Sequence, residues 1–338
     1  MNTNSQNPTK PIITAIISNF IIAISKLTGY FFSGSSALLS ETIHSFADFM
    51  NQCLLYIGIK RGQKEENELF NYGYSQERFF WNLISAMGIF VLGCGVTVYH
   101  GVHNLIVGGE VSRGIEQYAI LIILFISMIM EGYSFNVALK EIKSQAVSRN
   151  KKFFEYLEES LDPSVSAVFW EDLAAIVGIL LAFVGIAMSA FTGNNLFDAI
   201  ASILIGLLMG WIAYHLAIEN KKFLIDVSIP EYEKQILISI LDHNDSVKDY
   251  NDIRTVVLGP DRLKFSAKIT LDSEKIVLNV INQMKNKIQK ANLKELDKLL
   301  TEFSVEVYNA KHAELEKIET QFKERIPALK HVELTTLN

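Results

Sequence analysis

Three long stretches of this chain contain no charged residue, and they constrain its fold more than any other feature of the sequence. They lie between Arg78 and Glu110, between Asp172 and Asp198, and between Asp198 and Glu219. About 20 apolar residues cross the hydrocarbon core of a bilayer, so such stretches predict membrane-spanning helices. The predicted spans are residues 11–32, 37–59, 80–106, 117–139, 165–190 and 197–218.

After residue 220 the pattern changes, because charged residues recur every few positions and no long apolar run follows. This part is predicted to be a soluble domain. The expected organisation is an N-terminal tail at residues 1–10, a transmembrane domain at residues 11–220 and a C-terminal domain at residues 221–338.

The C-terminal domain has the sequence pattern of an α+β structure. Two alternating strands are predicted at residues 250–258 and 263–271, on either side of the turn sequence GPD. A helix is predicted at 231–241. Helical segments follow the second strand up to about residue 325, and a last strand is predicted at 331–337.

Basic residues in the predicted loops indicate the orientation of the chain. Arg113 is the only lysine or arginine in the links after the first, third and fifth spans. The loops after the second and fourth spans contain Lys60, Arg61, Lys64, Arg78, Lys140, Lys143, Arg149, Lys151 and Lys152. Because basic loops face the cytoplasm, both termini and the C-terminal domain are predicted to be cytoplasmic. The N-terminus lacks the character of a transit peptide or cleavable signal, which favours a bacterial inner membrane.

Composition also excludes some partners and cross-links. The net charge of −6 argues against a nucleic-acid partner. The two cysteines, Cys53 and Cys94, lie inside predicted spans, where packing is expected and a disulfide framework is not.

A polar stripe interrupts the second predicted span, in the sequence LLSETIHSFADFMNQCLL at residues 38–55. On a helix, Glu41, His44 and Asp48 fall within about 60° of one another, and Asn51 and Gln52 extend the stripe. Ionisable groups inside a span are costly and by default mark a substrate or ion route. The other spans contribute Lys26, Glu131, Glu171, Asp172 and Asp198. Two roles stay open: Asp198 as a helix cap or part of the route, and Lys26 as a snorkelling side chain or the partner of an acid.

His44 and Asp48, four residues apart, point to the same place and supply an imidazole nitrogen and a carboxylate oxygen. This combination suits zinc, whereas calcium and magnesium prefer oxygen ligands alone. Two ligands make a weak site, and Asp172 is the expected third. The alternative is a histidine that bonds to an aspartate only to pack helices. No permanently bound cofactor is expected, because zinc would be the substrate.

Several segments resemble the cation diffusion facilitator family. SGSSALLSETIHSFADFMNQ is similar to the family's second helix, YGYSQERFFWNLISAMGIFVLG to the start of its third, and DPSVSAVFWEDLAAIVG to its fifth. The segments YHGVHNL, DAIASILIG and AELEKIETQFKERIPALKHVEL resemble the zinc transporter 9-like branch. The resemblance covers almost the whole chain beyond the first ten residues.

The resemblance implies a homodimeric metal/proton antiporter that works by alternating access. It implies six transmembrane helices per protomer, followed by a cytoplasmic ferredoxin-like α+β domain in which residues 274–305 form a helical insertion. The partners are then a divalent metal ion, protons and the lipid bilayer.

The same resemblance implies a tetrahedral metal site, which this chain fills incompletely. His44, Asp48 and Asp172 match the family's ligand positions, but Val168 stands where many members have a histidine. Glu171 and Glu41 are the candidates to replace that ligand or to carry the exchanged proton. Zinc is the preferred substrate, and an incomplete site also admits Mn²⁺, Fe²⁺ or Co²⁺.

Two other function classes stay open at this point. Asp48 and Asp172 on separate spans also describe an aspartyl intramembrane protease, in which two carboxylates activate water. The Tyr-Asp and Gly-x-Gly-Asp motifs expected of such proteases do not occur at these aspartates, and no His-Glu-x-x-His motif is present. Because Val168 cannot bind metal, a membrane metal sensor or scaffold that does not transport also stays open as a function class. The preferred reading is a secondary transporter and not an enzyme.

Overall fold

The computed structural model describes residues 9–108, 115–148, 150–158, 160–161, 163–290 and 295–336 of the 338-residue chain. The chain divides into two compact units, Met1–Ile225 and Asp226–Asn338. Most of the predicted N-terminal tail, together with Arg113 and Arg149, lies outside the described residues.

The first unit is helical. Its helices are α1 (Thr9–Ser33), α2 (Ser36–Gly62), α3 (Glu77–Gly88), α4 (Thr97–Val107), α5 (Ile115–Ser148), α6 (Phe153–Glu158), α7 (Pro163–Thr192) and α8 (Leu196–Leu224). A π-helical segment, Ile89–Val96, joins α3 to α4, so the chain is helical without interruption from Glu77 to Val107. Gly34 ends α1 with a φ of 66°, a backbone conformation that glycine adopts without strain.

Five helical segments of the described chain are long and apolar enough to cross a membrane. These are Ile16–Ser33, Glu77–Val107, Tyr118–Ser148, Val165–Thr192 and Leu196–Leu224. The remaining predicted span, the second at residues 37–59, corresponds to α2, whose 27 residues extend about 40 Å. Its polar stripe lowers its apolar content below that of the other five. The chain is thus an integral, multi-pass membrane protein.

The helices are longer than the predicted spans. The fourth span was predicted to end at residue 139, whereas α5 continues to Ser148. Apolar content records only the part of a helix that lies in lipid, and the backbone can remain helical beyond it. The predicted end of this helix is therefore nine residues too early.

One apolar core holds the long helices together. It includes Leu38 on α2, Leu124 on α5, Ile179 on α7 and Ile205 on α8, each nearly inaccessible to solvent. The α8 helix packs against α2, α4 and α7. Its buried face is rich in small residues, which let neighbouring helix backbones approach closely.

The second unit is a small α+β domain. It comprises α9 (Glu231–Asp242), β1 (Val247–Gly259), β2 (Arg262–Leu271), α10 (Ser273–Lys290), α11 (Leu296–Arg325) and β3 (Leu329–Thr336). The sheet has the order β1-β2-β3, with β1 antiparallel and β3 parallel to β2. Alternate residues of β2 are buried, and Phe265 on this strand packs against Phe322 on α11. The prediction of a helical membrane protein with an α+β domain is confirmed.

The predicted helical insertion at 274–305 corresponds to α10 and the first part of α11, which pack against each other. Ile276, Val280 and Met284, spaced four residues apart, form the buried face of α10. Residues 291–294 of the insertion, and residue 337 of the predicted last strand, lie outside the described residues.

Candidate metal centre

Asp198 caps the start of α2. Its carboxylate accepts hydrogen bonds from the Ser35 hydroxyl at 2.7 Å, the Ser36 backbone N–H at 2.6 Å and the Ala37 backbone N–H at 3.2 Å. A carboxylate at a helix N-terminus satisfies backbone donors that have no partner within the helix. Of the two roles left open by the sequence, the structure shows the capping role for Asp198, which links α8 to α2.

Lys26 forms a fully buried ion pair with Glu41. The Lys26 ammonium lies 2.9 Å from Glu41 Oε2 and also donates to the Ser45 hydroxyl at 2.8 Å. Both charged side chains have 0% exposure, so Lys26 pairs with an acid and does not snorkel. The pair ties α1 to α2 one helical turn before His44.

The Glu41 carboxylate also touches α7. A Cβ atom at Gly178 would lie 2.5 Å from Glu41 Oε1, so only glycine lets the two helices approach at this point. Among the described residues, Glu41 Oε1 has no hydrogen-bond partner. The side chain that sequence reasoning named as a ligand or proton carrier is thus held between Lys26 and α7.

His44 and Asp48 lie side by side on α2, with His44 Nε2 3.5 Å from Asp48 Oδ2. The His44 side chain is buried and that of Asp48 is 19% exposed. The separation exceeds that of a good N–H···O hydrogen bond, and Nε2 has no hydrogen-bond partner within the described chain. A buried imidazole nitrogen with no partner is a free ligand atom.

Asp172 lies on α7, which packs against α2. The Ser134 hydroxyl on α5 donates to Asp172 Oδ2 at 3.3 Å. Asp172 is close enough to Asp48 and to Glu131 for its charge to interact with theirs. Glu131, a buried residue on α5, interacts in the same way with Lys26 and His44. The acidic groups of α2, α5 and α7 therefore share one electrostatic environment.

The predicted ligands do not form a closed metal cage in this structure. Among the described residues, no group of three or more His, Cys, Asp or Glu side chains is placed to hold a metal ion. His44 and Asp48 form the pair that the helical spacing predicted, and Asp172 lies on α7, which packs against α2. Val168, one turn before Asp172 on α7, contributes no ligand atom.

Glu171 is engaged away from the His44–Asp48 pair. Both of its carboxylate oxygens accept from the Asn51 amide, at 2.8 and 2.7 Å. The Asn51 carbonyl in turn accepts from the Ser85 hydroxyl at 2.7 Å. Sequence reasoning missed the roles of Ser85 and Ser134. A search for polar residues in every apolar span, and not only for charged ones, would have selected them.

Comparison with known proteins identifies the family. Residues 12–225 match the cation efflux transmembrane domain. This chain belongs to the cation diffusion facilitator family. Metal tolerance protein C4 of Arabidopsis thaliana is 34% identical over 281 residues, which cover 83% of this chain and 61% of that protein. The human mitochondrial proton-coupled zinc antiporter SLC30A9 is 30% identical over 295 residues, which cover 86% and 51% of the two chains.

These relatives place the chain in the zinc transporter 9-like branch of the family, as its sequence segments indicated. The cation-efflux pump FieF of Serratia proteamaculans is 22% identical over 251 residues, 74% of this chain and 76% of the pump. The chain spans about half to three-fifths of the length of the first two relatives. Membership of a cation-transport family does not favour the protease or scaffold readings.

Proposed function

We propose that this protein exports a divalent metal cation, zinc in the first place, in exchange for protons. His44, Asp48 and Asp172 bind the ion between α2 and α7. The observation that carries the proposal is the His44 imidazole nitrogen, which is buried beside Asp48 and has no hydrogen-bond partner in the described chain. A histidine kept only for packing would be expected to use its ring nitrogens in hydrogen bonds.

Proton exchange follows from the chemistry of these ligands. Metal binds the neutral imidazole and the ionised carboxylate, so protons and metal compete for the same atoms. A site that alternates between two sides of a membrane then loads metal where protons are scarce and releases it where they are abundant. The human relative is named a proton-coupled zinc antiporter, which supports this coupling.

The imidazole favours zinc among the candidate substrates, because harder ions such as Mn²⁺ prefer oxygen ligands. With Val168 in place of a fourth ligand, the site is also open to Mn²⁺, Fe²⁺ and Co²⁺. We further propose a homodimer in a bacterial inner membrane, with cytoplasmic termini and a cytoplasmic C-terminal domain. The distribution of lysine and arginine in the loops supports this orientation.

Transport by purified protein in liposomes tests the function. Zinc and manganese uptake are followed together with internal pH in wild type, in Asp172→Asn and in Glu155→Gln, which changes an exposed acid on α6. We expect Asp172→Asn to abolish metal movement and coupled proton movement, and Glu155→Gln to leave both intact. Wild-type rates in the correctly folded Asp172→Asn protein would refute the site.

A further inference from the structure

A small cavity with several polar side chains in its lining lies between α2, α3, α7 and α8, beside the candidate metal centre. Its volume is about 20 Å³. Its lining includes Asn51, Val168, Glu171 and Asn220. A space of roughly 10–15 Å³ accommodates one water-sized sphere, so the cavity has room for a single water molecule or a single metal ion.

The cavity contains a carboxylate held in a fixed orientation. The Asn51 amide binds both oxygens of Glu171, and Ser85 holds the Asn51 carbonyl in turn. A carboxylate offers about four lone-pair sites, so each Glu171 oxygen can still bind a second partner. The three residues come from three different helices and present Glu171 as a preformed ligand.

The lining also contains a carbonyl oxygen that has no hydrogen-bond partner among the described residues. Asn220, on α8, is 1% exposed, and its amide Nδ2 donates to the Leu216 carbonyl at 2.9 Å. That hydrogen bond identifies the other amide atom as the oxygen, and within the described chain Asn220 Oδ1 has no hydrogen-bond partner. Buried polar atoms are normally bonded, so a buried oxygen in this position is suited to bind a ligand.

The charge around the cavity favours a cation over a water molecule. Glu171 is buried, and the side chain that binds both of its oxygens is the neutral amide of Asn51. Its carboxyl group also lies close to the carboxyl groups of Asp48 and Asp172. Burying an ionised carboxylate among other acidic groups is costly, and a bound cation would offset that cost.

We propose that Glu171 and Asn220, with Asn51 as the orienting residue, form a second binding site for one divalent cation. We call these three residues the Glu171 subsite. The inference rests on the proposed function, since the cation bound here is the one that the His44, Asp48 and Asp172 centre transports. Asn51 follows Asp48 by about one helical turn, so the subsite lies toward the end of α2 that carries Lys60 and Arg61.

The subsite gives Glu171 and Val168 definite roles. Glu171 is a ligand of the neighbouring subsite and not the fourth ligand of the central site. Val168, which stands where the family resemblance implies a histidine, forms an apolar part of the cavity wall. A cation held here by the oxygen atoms of Glu171 and Asn220 has few protein ligands and would bind weakly, as suits a temporary stop before the imidazole-containing centre.

The test measures binding of Zn²⁺ and of Mn²⁺, each added alone, to the purified full-length protein. Asn220→Leu removes the free oxygen at nearly constant volume and should weaken one binding event per protomer by about 10- to 100-fold. Asn220→Asp supplies a carboxylate at the same place and should tighten that event. Asn104→Leu is the matched control, because Asn104 donates to Ser36 and does not line the cavity. It should bind cations as the wild type does.

The outcomes separate the two proposals. Asp172→Asn should lose the central binding event and keep the one that depends on Asn220, and the double variant should lose both. Unchanged binding in Asn220→Leu would mean that the cavity holds water only. If Asn220→Leu does not fold, unchanged or weaker binding in Asn220→Asp overturns the subsite instead. Normal binding and transport in Asp172→Asn would refute the central site alone.

Discussion

Removing the positive charge of Lys26 should destabilise the protein strongly. The Lys26→Met substitution keeps most of the side-chain volume but leaves Glu41 buried at 0% exposure without its counter-charge. Glu41 would retain its close approach to Gly178 but lose the Lys26 ammonium that balances its charge. Breaking a fully buried pair from one side costs about 3–5 kcal/mol of unfolding free energy.

The double substitution should recover most of that loss. Combining Lys26→Met with Glu41→Gln removes both charges and leaves the helix contact of similar shape. Replacing a buried ion pair by neutral groups of similar volume is often close to neutral, so the double variant should be more stable than either single variant. The coupling energy from this cycle measures the ion pair directly.

The assay is unfolding of the full-length protein in detergent micelles, followed by tryptophan fluorescence. The Lys287–Glu302 pair provides a matched control, because its atoms also lie 2.9 Å apart but its side chains are 63% and 43% exposed. Neutralising that pair should have little effect, since solvent already screens it. A Lys26→Met protein as stable as wild type would refute a structural role for the ion pair.

Three further results are expected. His44→Asp should lower the preference for zinc over manganese in competition transport assays, because the pair with Asp48 then offers oxygen ligands only; an unchanged preference would remove His44 from the site. Asp198→Asn should lower the unfolding free energy by about 1–2 kcal/mol in thermal unfolding, since it weakens the cap on α2, and a stability equal to wild type would contradict that role. In the C-terminal domain, the hydrogen bond from Lys268, with that of a neighbouring arginine, lowers the pKa of Asp252. Because this pKa is lower in the folded state, the ionised Asp252 stabilises the fold at pH values above 3.8, the ordinary aspartate pKa. That stabilisation disappears as the pH falls through the lower pKa of the folded state. Asp252→Asn should therefore reduce stability at pH 7 and make no difference at strongly acidic pH, whereas a deficit that persists in acid would point to a cause other than charge.

Much of the fold could be predicted because its signals are local. The charge-free stretches identify spans through composition alone, and alternation around the turn GPD identifies β1 and β2. Helix ends were less accurate, as the extension of α5 to Ser148 shows, because the backbone remains helical after its apolar residues end.

The candidate site was predictable only in part. The spacing of His44 and Asp48 is sufficient to place both on one face of α2, because a helix repeats every 3.6 residues. The same repeat makes the neighbours Glu171 and Asp172 point in different directions from α7. The structure shows Glu171 hydrogen-bonded to Asn51 and not placed beside His44. No signal in the sequence distinguished Asn220 from other polar residues near helix ends.

By itself, the sequence determined that the chain crosses a membrane and that α2 carries a polar face with a histidine and an aspartate one turn apart. Only the tertiary structure decided that Lys26 pairs with Glu41, that Asp198 caps α2, and that Asn220 and Glu171 line the same cavity. Helical periodicity specifies which side chains share a face of one helix. Which helix packs against that face depends on how all the helices fit together, and the charges in this protein pair across those contacts.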